Sequence, residues 1–261
     1  MLAGSVTTLE LRAEEDKRVA TGSDDHRESI EAWRANRHER LMQPDGWLTL
    51  VGLEWLSDGE NRIGSAADND IQLSGGAAYW GTVLLENDQL HFTRADDESV
   101  RVNGVFLPQS ELVPDTRGKA TVVSSGTLSF HVIFRESYGL RVKDSEAKAL
   151  KNFTGVENYP IDESWRIEGR FIRAEEGATL EIANVLGQIS ESPILGTFEF
   201  DRDGKTHKLL GIGTEKSRRL WFIFADRTSG RGTYGAGRFL YSDGMPADDN
   251  LTVDFNKAYN P

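Results

Sequence analysis

The sequence predicts a mainly β protein with one N-terminal helix, in which a β-sandwich packs against a second, C-terminal unit of barrel-like or sandwich form. Three observations carry the coarse part of that prediction. From Trp47 onward, short apolar or alternating runs recur between turn signals, as in sandwiches and barrels. Only Asp24–Leu41 carries apolar residues at helical spacing. The 261 residues, 38% of them apolar, suffice for one large β domain or two of ordinary size.

The totals exclude several classes of function. There is no cysteine, so disulfides, thiolate zinc sites and cysteine nucleophiles are ruled out, and a reducing, cytoplasmic setting fits. The net charge of −12 argues against a nucleic-acid partner, because neutralising phosphates needs a basic surface. No run approaches 18 apolar residues, so no membrane span is expected. Met1–Val6 lacks the basic and apolar regions of a signal peptide. No pattern specifies an oligomeric state.

Residues 1–23 read as a polar, irregular segment, or a short leading strand. Residues 24–45 read as a helix and turn. Asp24 or Asp25 caps its start, Ile30 and Trp33 share a face with Leu41, and Pro44 and Gly46 end it. Trp33, Trp47 and Trp55 are expected to pin the helix against a sheet. Residues 46–150 form the first β unit, with strands at Leu48–Leu53, Gly59–Gly64, Thr82–Glu86, Gln89–Thr93, Val100–Val102, Ala120–Val123, Leu128–Arg135 and Tyr138–Val142. Asn87-Asp88 and Asn103-Gly104 suit tight hairpins, since both residue types tolerate positive φ. Residues 151–261 form the second unit, after an ordered crossing at Asp144–Asp162. Its strands are Trp165–Ala174, Leu180–Val185, Ile189–Ser192, Gly196–Asp201, Lys205–Ile212, Leu220–Ala225, Arg238–Tyr241 and Leu251–Phe255, with a hairpin turn at Asp203-Gly204.

Two resemblances add to this. NRIGSAADNDIQL (Asn61–Leu73), VRVNGVFL (Val100–Leu107) and GTLSFHVI (Gly126–Ile133) together resemble the core of a forkhead-associated domain. In that family an Arg directly after the Ile-Gly pair, with a downstream Ser and His, holds a phosphothreonine. Ser65 takes the place of that Arg here, and the loop Gly75–Gly81 holds neither Ser nor His. The resemblance implies the sandwich and not the phosphopeptide function, because the guanidinium fork is missing. Over the whole chain, GWLTLVGLEWL (Gly46–Leu56), GLRVKD (Gly139–Asp144), KNFTGVENYPID (Lys151–Asp162), FADRTSGRGTYGAGRFL (Phe224–Leu240) and VDFNKAYNP (Val253–Pro261) resemble the domain of unknown function 1684 family. Its members commonly continue past the Asn-Pro with a short tail of cysteines and prolines. The resemblance implies no particular activity.

The densest chemistry lies in the glycine-rich loop after Ala225. Asp226, Thr228, Thr233, Tyr234 and Arg238, with Arg231, form a candidate site for an anion or carboxylate. The opposing reading is structural: Asp226 makes an Asx-turn, and Arg238 pairs with Asp226 or with Asp254. Asp254 and Asn256 point to one face of a strand and line the same pocket, or are simply solvated. Arg141 and Asp144 read as a buried ion pair at the junction of the two units. The five histidines show no metal-ligand spacing, no metal site or cofactor is implied, and no nucleophile elbow, P-loop or HExxH motif is present. Three functions follow: a binding protein for a small polar or anionic ligand, a hydrolase using the carboxylates of Asp226 and Asp254, or a protein-interaction module. Whether the chain is an enzyme is left open by its motifs.

Overall fold

The computed structural model describes residues 6–183 and 189–261, with side chains placed for residues 24–182 and 189–261. The expected strand Leu180–Val185 therefore ends outside the described residues, as does the reading of residues 1–5. The chain divides into two compact units. One is continuous, Arg37–Val156. The other joins the chain up to Asn36 to Glu157–Pro261.

The helix α1 spans Val6–Leu41. It begins well before Asp24 because the stretch from Leu9 to Ala20 holds no Gly or Pro and is rich in Leu, Glu, Arg, Lys and Ala. It ends where Met42 N bonds back to His38 O and Glu39 O. Gly46 then folds against the last turn, and a Cβ there would lie 2.8 Å from Arg40 O.

In the continuous unit the strands are β1 (Leu50–Trp55), β2 (Gly59–Gly64), β3 (Ile71–Gln72), β4 (Gly81–Glu86), β5 (Gln89–Arg94), β6 (Arg101–Val102), β7 (Gln109–Glu111), β8 (Val122–Ser125), β9 (Leu128–Arg135) and β10 (Ser137–Asp144). The four-residue helix α2 (Lys148–Lys151) follows. The strands form two five-stranded sheets, β1-β10-β9-β8-β6 and β3-β2-β4-β5-β7. Alternate residues from both, among them Ile63, Val83, Phe92, Phe130, Val132 and Leu140, meet in one core. Trp80 sits at its centre, fully buried and stacked on Phe130 with ring centroids 5.7 Å apart. Both residues of the Asn87-Asp88 turn take positive φ (51° and 60°), as do Asn103 and Gly104, so both expected hairpins form. The strands β3 and β7 were not foreseen. They are two and three residues long, too short to show alternation.

Two expectations are corrected here. Trp47 and Trp55 do not join Trp33 in the packing of the helix. Trp55 covers Gly139 on the outer face of its sheet, where a Cβ would lie 2.9 Å from the indole, and Trp47 is 59% exposed beside Arg141. Arg141 and Asp144 do not pair. They are three residues apart on β10, so they point to opposite faces, and the Asp144 carboxylate accepts from Glu146 N instead.

The other unit holds β11 (Arg166–Arg173), β12 (Thr179–Ala183), β13 (Ile189–Arg202), β14 (Lys205–Ile212), β15 (Trp221–Phe224), β16 (Arg238–Tyr241) and β17 (Asn250–Asp254). The main path is β16-β15-β14-β13-β11-β17, with β12 paired to the first half of β13. A bridge between Ser242 and Val253 joins the two ends of this path, so the sheet curls towards a barrel. Its core is aromatic: Phe171, Phe198, Phe200 and Phe222 are buried together with Leu220, Leu240, Leu251 and Val253. The two strands expected at Ile189–Ser192 and Gly196–Asp201 are one. The register shift between Ile194 and Gly196 absorbs the break that Pro193 suggests, and Pro193 O still accepts from Gly213 N.

Candidate functional site

The loop 226–237 closes on itself. β15 and β16 pair with Phe224 opposite Arg238, which sets the arginine at the base of the loop. Asp226 Oδ1 accepts from Thr228 N at 2.8 Å and from Thr228 Oγ1 at 2.5 Å. This Asx-turn starts the loop. The hydroxyls of Thr228 and Thr233 lie 2.9 Å apart, and Asp226 N donates to Ser229 Oγ. Tyr234 N donates to Asn260 Oδ1 at 3.0 Å, while the Tyr234 side chain is exposed. Arg231 is exposed at the loop tip.

Arg238 pairs through Nη2 with Asp226 Oδ2. Its guanidinium carbon lies 4.8 Å from the centroid of Phe224 and 6.0 Å from that of Tyr159. Only 14% of its side chain is exposed, against 38% for Asp226. Burial pushes the Asp226 carboxyl up. The hydrogen bonds from Thr228 and the charge of Arg238 outweigh this and hold it below the usual carboxylate range. The Nε–H of Arg238 is buried and finds no acceptor among the described residues.

Asp254 lies elsewhere in the network. It ends β17, and its side chain is fully buried. Oδ1 accepts from Asn256 N and Nδ2, capping the single 3-10 turn Phe255–Lys257. Oδ2 faces His26 Nε2 at 2.9 Å and Lys257 Nζ at 3.6 Å. Burial raises this carboxyl, and the bonds from Asn256 and His26, with Lys257 beyond them, more than reverse the shift. Asn256 clamps the backbone of Asp162 with both ends of its amide, at 3.0 and 2.9 Å. Neither side chain is held free for a ligand.

Two residues that the sequence reading left unassigned complete the arrangement. His26, Ile30, Trp33 and Arg34 fall at spacings of four, seven and eight residues, along one stripe of α1. Ile30 is fully buried. The Trp33 ring lies 6.1 Å from that of Tyr259, which pairs with Phe239 next to Arg238. Arg34 Nη2 donates to Tyr159 O at 2.9 Å. Its Nε–H, like that of Arg238, is buried without an acceptor among the described residues. Burial lowers the pKa of Arg34, with Glu31 and Asp254 acting in the opposite sense. The i, i+4, i+8 spacing of His26, Ile30 and Arg34 is the signal that would have exposed this inward face; it was obscured by the abundance of charge on the helix.

Among the described residues no group of three His, Asp or Glu side chains could hold a metal ion, and no helix is long and apolar enough to cross a membrane. The fold and these side chains define a mainly β protein in which helix α1 and the curled C-terminal sheet each bring one partly buried arginine to Tyr159. Residues 151–261, which include all of β11–β17, match the profile of a family described as "Protein of unknown function (DUF1684)". No curated protein matches the chain. Among solved structures it is similar to an uncharacterized protein of Haloarcula marismortui determined by solution NMR, with 27% identity and a TM-score of 0.36, over 42% of this chain and 63% of that one. The chain thus spans less than two thirds of that protein's length.

Proposed function

We propose that the protein is a binding protein for a small polar or anionic ligand, held on the C-terminal β unit by Arg34 and Arg238 around Tyr159. The observation that carries this reading is that Arg34 and Arg238, both beside Tyr159, each bury an Nε–H without an acceptor among the described residues. A buried donor left unpaired costs about 1–3 kcal/mol, and a carboxylate or phosphate oxygen would remove that cost at both guanidinium groups. Tyr159, 58% exposed, offers a ring at the same place. The hydrolase reading draws less support. Asp226 and Asp254 are both held below the usual carboxylate range, so neither is tuned as a proton donor near neutral pH.

The continuous unit fits a degenerate forkhead-associated-like sandwich. Ser65 Oγ donates to Ala77 O at 3.0 Å, so the position expected to carry the phosphate-binding Arg serves the backbone of its own loop. The absence of cysteine supports a cytoplasmic setting.

The test is a calorimetric and thermal-shift series with simple carboxylates and phosphate on the native chain, Arg34→Ala and Arg238→Ala. A ligand at a hundredfold excess over its Kd adds about 2.7 kcal/mol of stability. Stabilisation of the native chain that is lost in both variants supports the site. Stabilisation retained in both, or none with any anion, refutes it.

A further inference from the structure

The second concentration of positive charge lies in the other unit, on the outer face of the sheet β1-β10-β9-β8-β6. Leu140 and Val142 of β10, and Phe130 and Val132 of β9, point into the sandwich core. Arg141, Lys143 and His131 therefore project from the opposite face. Arg141 and His131 are direct cross-strand partners, and Lys143 lies two residues along from Arg141. Like charges placed opposite one another on a sheet repel, so protonating His131 beside Arg141 weakens the bare protein.

The usual remedy, an acid beside each cation, is missing. Asp115 is the acid whose charge reaches Arg141 and His131, and it is committed to Arg135, with bonds of 2.8 and 3.3 Å. Lys143 Nζ donates to the carbonyl of Asp45. Arg141 and His131 make no hydrogen bond or ion pair with any described residue, although both are partly buried. The contact recorded for the Arg141 guanidinium is the ring of Trp47, 5.7 Å away, and Trp47 is largely exposed. Burial lowers the pKa of Arg141, with Arg135 adding to it; burial, then Lys143 and Arg141, lowers that of His131. In a chain of net charge −12, this cluster is a local exception.

We propose that this face binds a small polyanion of the pyrophosphate type, free or carried by a nucleotide. Arg141 and Lys143 hold the negative charges, His131 joins them as imidazolium, and Trp47 offers a ring for a planar base. Multiple charges on the ligand are required because the attraction comes from the summed field of several cations, with no single pre-formed fork. The inference does not depend on the C-terminal site.

The experiment is isothermal titration of the full chain with inorganic pyrophosphate and with ADP at low ionic strength, alongside NMR titration of His131. The native chain is expected to bind. Arg141→Gln and Lys143→Gln are each expected to weaken binding about tenfold while keeping the native circular dichroism spectrum, since neither cation has an acid partner to leave stranded. Bound anion favours the imidazolium, so the His131 pKa should rise. In the Arg238→Ala background, which removes the C-terminal site, Arg141→Gln and Lys143→Gln are expected to weaken binding by the same factor. ADP binding more tightly than pyrophosphate, with the advantage lost in Trp47→Ala, identifies a nucleotide; equal affinities identify the free anion. The proposal is overturned if neither probe binds, if both glutamine variants bind as the native chain does, or if Arg238→Ala alone abolishes binding.

Discussion

One cluster in the C-terminal unit and one on the outer face of the sandwich treat their cations in opposite ways. Around Tyr159 and Asp254, each cation has a partner: Arg238 has Asp226, His26 and Lys257 share Asp254, and Arg34 holds a carbonyl. What is left on each arginine is a buried Nε–H without an acceptor among the described residues. On the sandwich, Arg141 and His131 face each other with no hydrogen bond or ion pair among the described residues. What remains there is an unscreened field. The first arrangement can recognise one oxygen in one place, and most of its charge serves to hold the chain together. In the second, Lys143 alone holds a backbone carbonyl, and under the polyanion proposal the cluster responds to the total charge of what approaches.

The largest expected effect tests the paired side. Asp254→Ala removes a fully buried carboxylate and leaves the mostly buried His26 and Lys257 without it, and should cost about 3–5 kcal/mol in urea unfolding, as removal of one partner from a buried pair does. The pH dependence follows the same residue. The folded carboxyl titrates below its unfolded value near 3.9, so its contribution is complete above that value and is lost as pH falls through the folded one. The acid limb of native stability should therefore flatten in Asp254→Asn; an unchanged limb would remove Asp254 from the list of stabilising groups. Asp226→Ala sharpens the contrast within the unit. That carboxylate is 38% exposed, so the loss should stay below about 1 kcal/mol.

The sandwich should behave the other way. Arg141→Gln should leave stability unchanged or raise it by up to about 0.5 kcal/mol, with the gain fading in about 0.5 M salt as screening replaces the substitution. A loss of more than about 1 kcal/mol would mean that Arg141 braces the fold. The smallest effect is on His131. Its folded pKa lies below the unfolded value near 6.5, so the stability it contributes is complete above that value and is lost as pH falls through the folded one. His131→Asn should remove that component of the pH dependence, read from unfolding midpoints between about pH 7 and pH 5.

Much of this fold was legible in the chain. Turn chemistry was the clearest signal. Asn87-Asp88, Asn103-Gly104 and Asp203-Gly204 all take the positive φ that tight hairpins need, because local sterics alone decide them. Long alternating strands such as β9 and β14 were readable for a similar reason. The two-residue β3 is set by its neighbours and has no period of its own. Pro193 read as a break because sequence cannot show a bulge that accommodates it. For the candidate site, the Asx-turn of Asp226 was foreseen because it is local chemistry, and of the two acids the sequence offered Arg238 (Asp226 and Asp254), the structure gives Asp226. His26 and Arg34 were not foreseen, because their partners Asp254 and Tyr159 lie 228 and 125 residues away.

That separation has a consequence for how the protein is made. The sandwich is one uninterrupted segment, and its residues leave the ribosome well before the final strand exists. The helix bearing His26 is synthesised first, yet the carboxylate that fastens it comes 228 residues later. At about 5–20 residues per second, the helix waits for roughly ten to fifty seconds with its inward face uncovered. During that interval Ile30 and Trp33 are open to chaperones and proteases, so truncation just before Asp254 should be felt first as loss of soluble protein in the cell.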